Sequence, residues 1–248
     1  DEQGSEKEIS QQRAINLISK VPTIIASWER VRNDKEPIQP DPELSHASNF
    51  LYMLTGNKPD KEMERVFDVC LILHADHTFN ASTFAAREVA STRAHMYSAV
   101  SAAVGALSGE LHGGANYEVM KMLLDIKDEN NATNWVKSRI EKGDRIMGMG
   151  HAVYKTVDPR SMVLKGLSKK LSEKTGLPWY DITKKVEETT SEIMKNRKER
   201  DIFPNVDLYS ASVYYMLNIP MDLNTPIFAI SRVSGWAAHV IEDKFAEA

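Results

Sequence analysis

Between Met63 and His77 the positions Met63, Val66, Phe67, Cys70, Leu71, His74 and His77 recur at intervals of three and four. That spacing repeats one face of an α-helix, and a strand would scatter the same residues over both of its faces. The pattern continues in Glu8–Ser27, where Ile9, Ile15, Leu17, Ile18, Val21, Ile24 and Ile25 fall at helical intervals, with Pro22 expected to end or kink the run. Ser45 to Leu54 reads as a short helix, stopped by Gly56 and then Pro59. Asn33 to Pro42 holds three prolines and no usable apolar face, so it reads as a loop. Runs that alternate apolar and polar residues are few, and no Asn-Gly or Asp-Gly hairpin turn occurs. The mixed-charge stretch Lys184–Asp201 reads as a solvated helix face. The expectation is an all-α fold without internal repeats.

Composition narrows the classes. The 248 residues suffice for one large domain or two ordinary ones. Lys and Arg number 31 against 35 Asp and Glu, a net charge of -4, which argues against a nucleic-acid binder. One cysteine, Cys70, excludes an internal disulfide framework and a four-cysteine zinc site, and fits a reducing compartment. No apolar run reaches the ~18 residues of a membrane helix, and Ser98 to Gly109 is short and rich in alanine and serine. The acidic start, Asp1 to Glu6, has no basic leader character, so a cytoplasmic location is expected.

Five clusters carry residues that are costly to place. In Leu73–Asn80, His74 and His77 would share one face of a helix. Core packing, an anionic ligand and a metal all fit this pair, although zinc normally takes a third protein ligand and no further cysteine lies near. In Gly109–Asn116, a glycine pair precedes a helix beginning near Tyr117. His112 would lie near that helix N-terminus, where the dipole disfavours the imidazolium and leaves a neutral hydrogen-bond donor. A histidine N-cap explains the same residues.

Gly148-Met149-Gly150-His151 sets two glycines beside a histidine, which lets backbone approach a ligand closely. As a nucleotide signal the Gly-x-Gly is weak, since no strand precedes it. Asp158-Pro159-Arg160 fits a helix with proline at its first position, which puts Arg160 in a first turn where the dipole gives a cation no help. Asp207, ahead of Tyr209–Leu217, reads as an N-cap or as a functional carboxylate. Arg232 is the one formal charge between Pro226 and Ile241, so it either snorkels to the surface or meets a carboxylate or phosphate.

Taken together, these clusters resemble the citrate synthases, specifically the shorter bacterial and archaeal type. Leu111-His112-Gly113-Gly114-Ala115, Gly150 to Lys155 with Asp158-Pro159-Arg160, and Asn205-Val206-Asp207 are similar to the three catalytic signatures of that family, in the same order. Leu73–Asn80 and Ser231–Trp236 resemble its substrate-binding segments, and Pro40 to Gly56 fits as well. The resemblance runs essentially end to end. It also implies further segments at both ends: an N-terminal part of the large domain, and a C-terminal Arg-Pro pair whose arginine reaches a neighbouring subunit's site.

The resemblance implies an all-helical homodimer with a large domain, an inserted small CoA-binding domain over 115–209, and large-domain segments over 1–114 and 210–248. Closure on oxaloacetate would exclude water, and the alanine-rich segment Ala81–Val104 would form the dimer contact. The implied reaction condenses acetyl-CoA with oxaloacetate and releases CoA on hydrolysis, with no permanently bound cofactor and no metal. The implied base is Asp207; neutral His112 would hydrogen-bond the thioester oxygen, and His151 would protonate or polarise the ketone. His77, Arg160 and Arg232 would bind the carboxylates of oxaloacetate, and Met147, Gly148, Gly150 and Lys155 would contact CoA. Rival readings are a 2-methylcitrate synthase using propionyl-CoA, a CoA-binding protein without condensation activity, and a metal-binding helical module using His74, Asp76 and His77. One methylene separates the first rival's substrate, a difference of about 1–3 kcal/mol in a pocket.

Overall fold

The computed structural model describes residues 4–109, 112–151, 154, 156–197 and 201–245. Its helices are α1 (Glu6–Val31), α2 (His46–Thr55), α3 (Lys61–His74), α4 (Ala81–Ser91), α5 (Met96–Leu107), α6 (Ala115–Ile126), α7 (Glu129–Glu141), α8 (Pro159–Thr175), α9 (Trp179–Asn196), α10 (Val206–Met216) and α11 (Asn224–Phe245), with a 3-10 turn at Met221–Leu223. Among the described residues the sole strand-like feature is an isolated antiparallel bridge between Met149 and Pro204. The fold is all-α.

The chain forms two compact units, Asp1–Gly113 with Thr225–Ala248, and Gly114–Asn224. In the first, Ser5 opens α1 with a capping box. Its hydroxyl accepts the Glu8 N–H, and the Glu8 carboxylate accepts the Ser5 N–H at 2.8 Å. The helix does not end at Pro22 but runs on to Val31. Pro22 is buried on the same stripe as Ala14 and Ala26, and α1 packs against α2 and α5, so tertiary burial offsets the missing backbone donor.

The helix carrying the Met63–Leu71 stripe ends at His74, not at His77. Residues 75–80 instead turn into α4, with Thr78 at a φ of 50° and Asn80 as N-cap, its side-chain oxygen accepting the Thr83 N–H at 3.1 Å. His77 therefore sits in a connecting segment, off the stripe that its spacing matched. The core of this unit joins Ala86 and Ala90 of α4, Ala99, Val100 and Ala103 of α5, and Val233, Trp236 and Ala237 of α11. Ala86, Ala90, Ala99 and Ala103 are thus buried inside the unit. Tyr97 and Val104 are on the exposed side of α5.

In the second unit α10 is central and packs against α6, α8 and α9. Polar tethers fix its rotation among them: Asn116 of α6 donates to the Ser210 hydroxyl at 2.5 Å, and the hydroxyls of Ser168 on α8 and Ser212 lie 2.9 Å apart. The unit runs on through α10 to Asn224.

Candidate active site

In the first unit, three polar side chains gather around Phe228. The ring centroids of His74 and His112 lie 5.3 and 6.4 Å from that of Phe228, and the Arg232 guanidinium lies 4.7 Å from it. Arg232 is 1% exposed, which removes the snorkelling alternative. Its Nε donates to the backbone oxygen of His74 at 2.6 Å, tying α11 to the end of α3. Gly235, one turn on, brings α11 close to the following segment. A Cβ there would collide with the Ala75 carbonyl and come within 3.0 Å of Asp76 Oδ1. His239 then meets Asp76 Oδ1 at 3.1 Å, and Arg87 of α4 joins Glu242 at 2.6 Å while lying 5.0 Å from the Phe79 ring. The segment bearing His77 is thus clasped from both sides, and His77 itself is half-buried.

His112 is half-buried, and its Nε2 faces the start of α4. The Ser82 backbone N–H donates to Nε2 at 3.3 Å, and the Ser82 hydroxyl lies 2.8 Å from it. These two contacts hold the Nε2 edge of the ring against the first turn of α4. Burial first, and the Arg232 charge second, hold the imidazole below its ordinary pKa. The neutral state expected from the sequence thus has a different cause. The helix N-terminus that His112 meets is that of α4, whose orphan N–H it caps. Trp236 Nε1 donates to the same Ser82 hydroxyl at 3.1 Å, fixing the support from the core side.

In the second unit, residues 148–150 run beside 203–205. Gly150 N–H donates to the Phe203 oxygen at 2.7 Å, Asn205 N–H to the Gly148 oxygen at 2.9 Å, and Asn205 Nδ2 to the Gly150 oxygen at 2.9 Å. This pairing places His151 next to the start of α10. Gly148 has a φ of +80°, and a Cβ would come within 2.9 Å of Leu208 Cα, so the position admits no side chain. His151 Nδ1 accepts the Tyr154 backbone N–H at 3.1 Å, which leaves the ring proton on Nε2. Burial and the Arg160 charge lower its pKa, partly countered by Asp158.

Arg160 has a partner within the chain. Its Nε and Nη2 bind the two oxygens of Asp158 at 3.0 and 2.8 Å, and Asp158 also accepts the Arg160 N–H as N-cap of α8. Burial pushes the Asp158 carboxyl up, but the Arg160 bonds and charge outweigh it and hold the group below its usual range. Asp207 is not the cap of α10. Asn205 takes that role by accepting the Asp207 N–H at 2.9 Å, so the Asp207 carboxylate is not used in capping and stands in the first turn. Met147 lines a cavity of about 550 Å³ with Lys121, Asp125, Trp135, Arg139 and Arg145. Lys155 lies outside the described residues.

Sequence reasoning overlooked Ser82, Asn80, Asn205 and Gly235, which place the polar groups without resembling reactive residues. Asn80 and Asn205 carry a readable signal, an asparagine directly ahead of a helix. Ser82 carries none, since its partners His112 and Trp236 are distant in sequence. Among the described residues no three His, Cys, Asp or Glu side chains gather as metal ligands would, and no helix is long and apolar enough to cross a membrane.

The first unit is all-helical and holds His112 beside a buried Arg232, and the second is all-helical with Arg160 and Asp207 in the first turns of α8 and α10. The sequence model described as "Citrate synthase, C-terminal domain" matches residues 1–248. The citrate synthase of Haloferax volcanii is 45% identical over 96% of this chain and 62% of its own length. A solved citrate synthase of Pyrobaculum aerophilum superposes with a TM-score of 0.89 at 42% identity, covering 97% of this chain and 60% of that one. The citrate synthase of Thermoplasma acidophilum, solved as a ternary complex with carboxymethyl coenzyme A and oxaloacetate, gives 0.90 at 35% identity over 98% and 64% of the two chains. The chain belongs to the citrate synthase family, and it spans about three fifths of the length of these relatives.

Proposed function

We propose that the protein condenses acetyl-CoA with oxaloacetate and water to give citrate and CoA. The observation that carries this reading is the setting of His112, a half-buried imidazole held against the first turn of α4 and below its ordinary pKa, hence a neutral donor. Such a donor suits a thioester oxygen on which charge develops, because it stabilises the enolate without surrendering a full proton. Asp207 is the base that takes the methyl proton. The enol carbon attacks the ketone carbon of oxaloacetate, and His151 delivers its Nε2 proton to the ketone oxygen as that bond forms. Water then hydrolyses the citryl thioester, and CoA leaves as the thiol. His77, Arg160 and Arg232 hold the two carboxylates, for which the planar guanidinium fork is well matched. The ternary complex described for the Thermoplasma acidophilum relative supports these ligand classes.

In this reading the second compact unit is the small domain, and Met147, Gly148, Gly150 and Lys155 contact CoA. The protein works as a cytoplasmic homodimer. The experiment is thiol release from acetyl-CoA and from propionyl-CoA by the intact protein, with and without oxaloacetate. Oxaloacetate-dependent release that is faster with acetyl-CoA is expected. Faster release with propionyl-CoA would transfer the assignment to 2-methylcitrate synthesis, and no release from either would overturn it.

A further inference from the structure

Two residues beyond Asp207, on the opposite side of the helix, Tyr209 is fully buried and its hydroxyl donates to Glu187 Oε2 of α9. The same oxygen receives Lys165 Nζ of α8 at 2.8 Å. That ammonium also lies 5.6 Å from the centroid of the Tyr209 ring. Burial, then the bond to Glu187, hold the phenol protonated well above its ordinary range, so it is a permanent donor. Glu187 is only 18% exposed at its side chain and Lys165 36%. A carboxylate, an ammonium and a phenol converge here where apolar side chains would fill the same seam between helices.

The three residues link three helices, two of which begin with site residues. Arg160 stands in the first turn of α8, and Lys165 lies further along that helix. Asp207 stands in the first turn of α10, directly ahead of Tyr209. Dispersion contacts tolerate small rotations of a helix about its axis, whereas a phenol sharing one carboxylate oxygen with an ammonium does not. We infer that Glu187, with Tyr209 and Lys165, is a positioning residue that sets the rotation of α10 against α8 and thereby aims the Asp207 carboxylate. The inference rests on the reading of Asp207 as the base.

The test compares the intact protein with Tyr209→Phe, which keeps the ring and removes the donor, and with Glu187→Gln, which keeps the length and removes the charge. Each is assayed for CoA release with acetyl-CoA and with its methyl-deuterated form. Misaiming the base slows proton removal alone. The expected result is a fall in kcat of about tenfold, an increased deuterium isotope effect on kcat, and an oxaloacetate KM within about twofold of the parent. Lys165→Arg, which preserves the ion pair, should stay near the parent while Lys165→Met falls. Should Tyr209→Phe not fold, Glu187→Gln and the Lys165 pair decide. Unchanged isotope effects across the folded variants, or a loss confined to KM, would overturn this inference while leaving the proposed function standing. No CoA release by the unsubstituted protein would overturn both.

Discussion

The backbone N–H of Ser82 donates to Nε2 of His112 across thirty residues of sequence, at 3.3 Å. Protonating His112 would put a charge in a half-buried site beside the charge of Arg232. The group should therefore titrate below the ordinary histidine value of about 6.5. Because the unfolded chain then binds the proton more readily, stability should decline as pH falls from about 6.5 toward the folded value. An NMR titration of His112 checks this. Arg232→Leu, which removes the second cause, should move the midpoint upward.

Asp207 and Arg232 have separable roles. Asp207→Asn should abolish turnover, a loss of 10²-fold or more for a missing general base, while oxaloacetate binding by calorimetry stays near the parent. Arg232→Leu should give the reverse order, with oxaloacetate affinity falling first. The opposite pattern would mean that the roles are exchanged.

Asp158→Asn keeps the cap on the Arg160 N–H but removes the paired charge. With the Asp158 side chain fully buried and that of Arg160 12% exposed, the variant should lose about 3 kcal/mol in denaturant unfolding. The Asp158 carboxyl is held below its unfolded value. Its contribution is therefore present above about pH 3.9 and is lost as pH falls through the folded value. Acid unfolding of the variant should lack that component.

Gly235→Ala sets two effects against each other. Mid-helix alanine ordinarily gains about 1 kcal/mol over glycine. Here the new Cβ would strike the Ala75 carbonyl, backbone that cannot swing aside. The net change should be destabilising by about 1–3 kcal/mol, read by thermal melting. Oxaloacetate affinity should fall with it, since the displaced segment carries His77.

Several elements were legible from residue order because their causes are local. The Met63–Leu71 stripe and the Gly56 stop each act within a few residues, and α2 and α3 form where that spacing predicts. The same stripe misled at His77. Periodicity cannot show that Asn80 captures the chain for a new helix, or that Thr78 accepts a left-handed φ. At Pro22 the helix does not end, because burial against α2 and α5 carries α1 past it. The cap read at Asp207 lies two residues earlier, at Asn205, whose side chain accepts the Asp207 N–H.

By itself, the sequence determined that the chain is helical and which side chains could do chemistry, since helix periodicity, caps and residue types are written in local order. The tertiary structure decided their states. Whether Arg232 is buried, how far His112 is held from its ordinary pKa, and whether Arg160 already has a carboxylate all depend on neighbours brought in by packing. Burial and neighbouring charges set the free energy of a charged group, so those states become definite only when the helices meet.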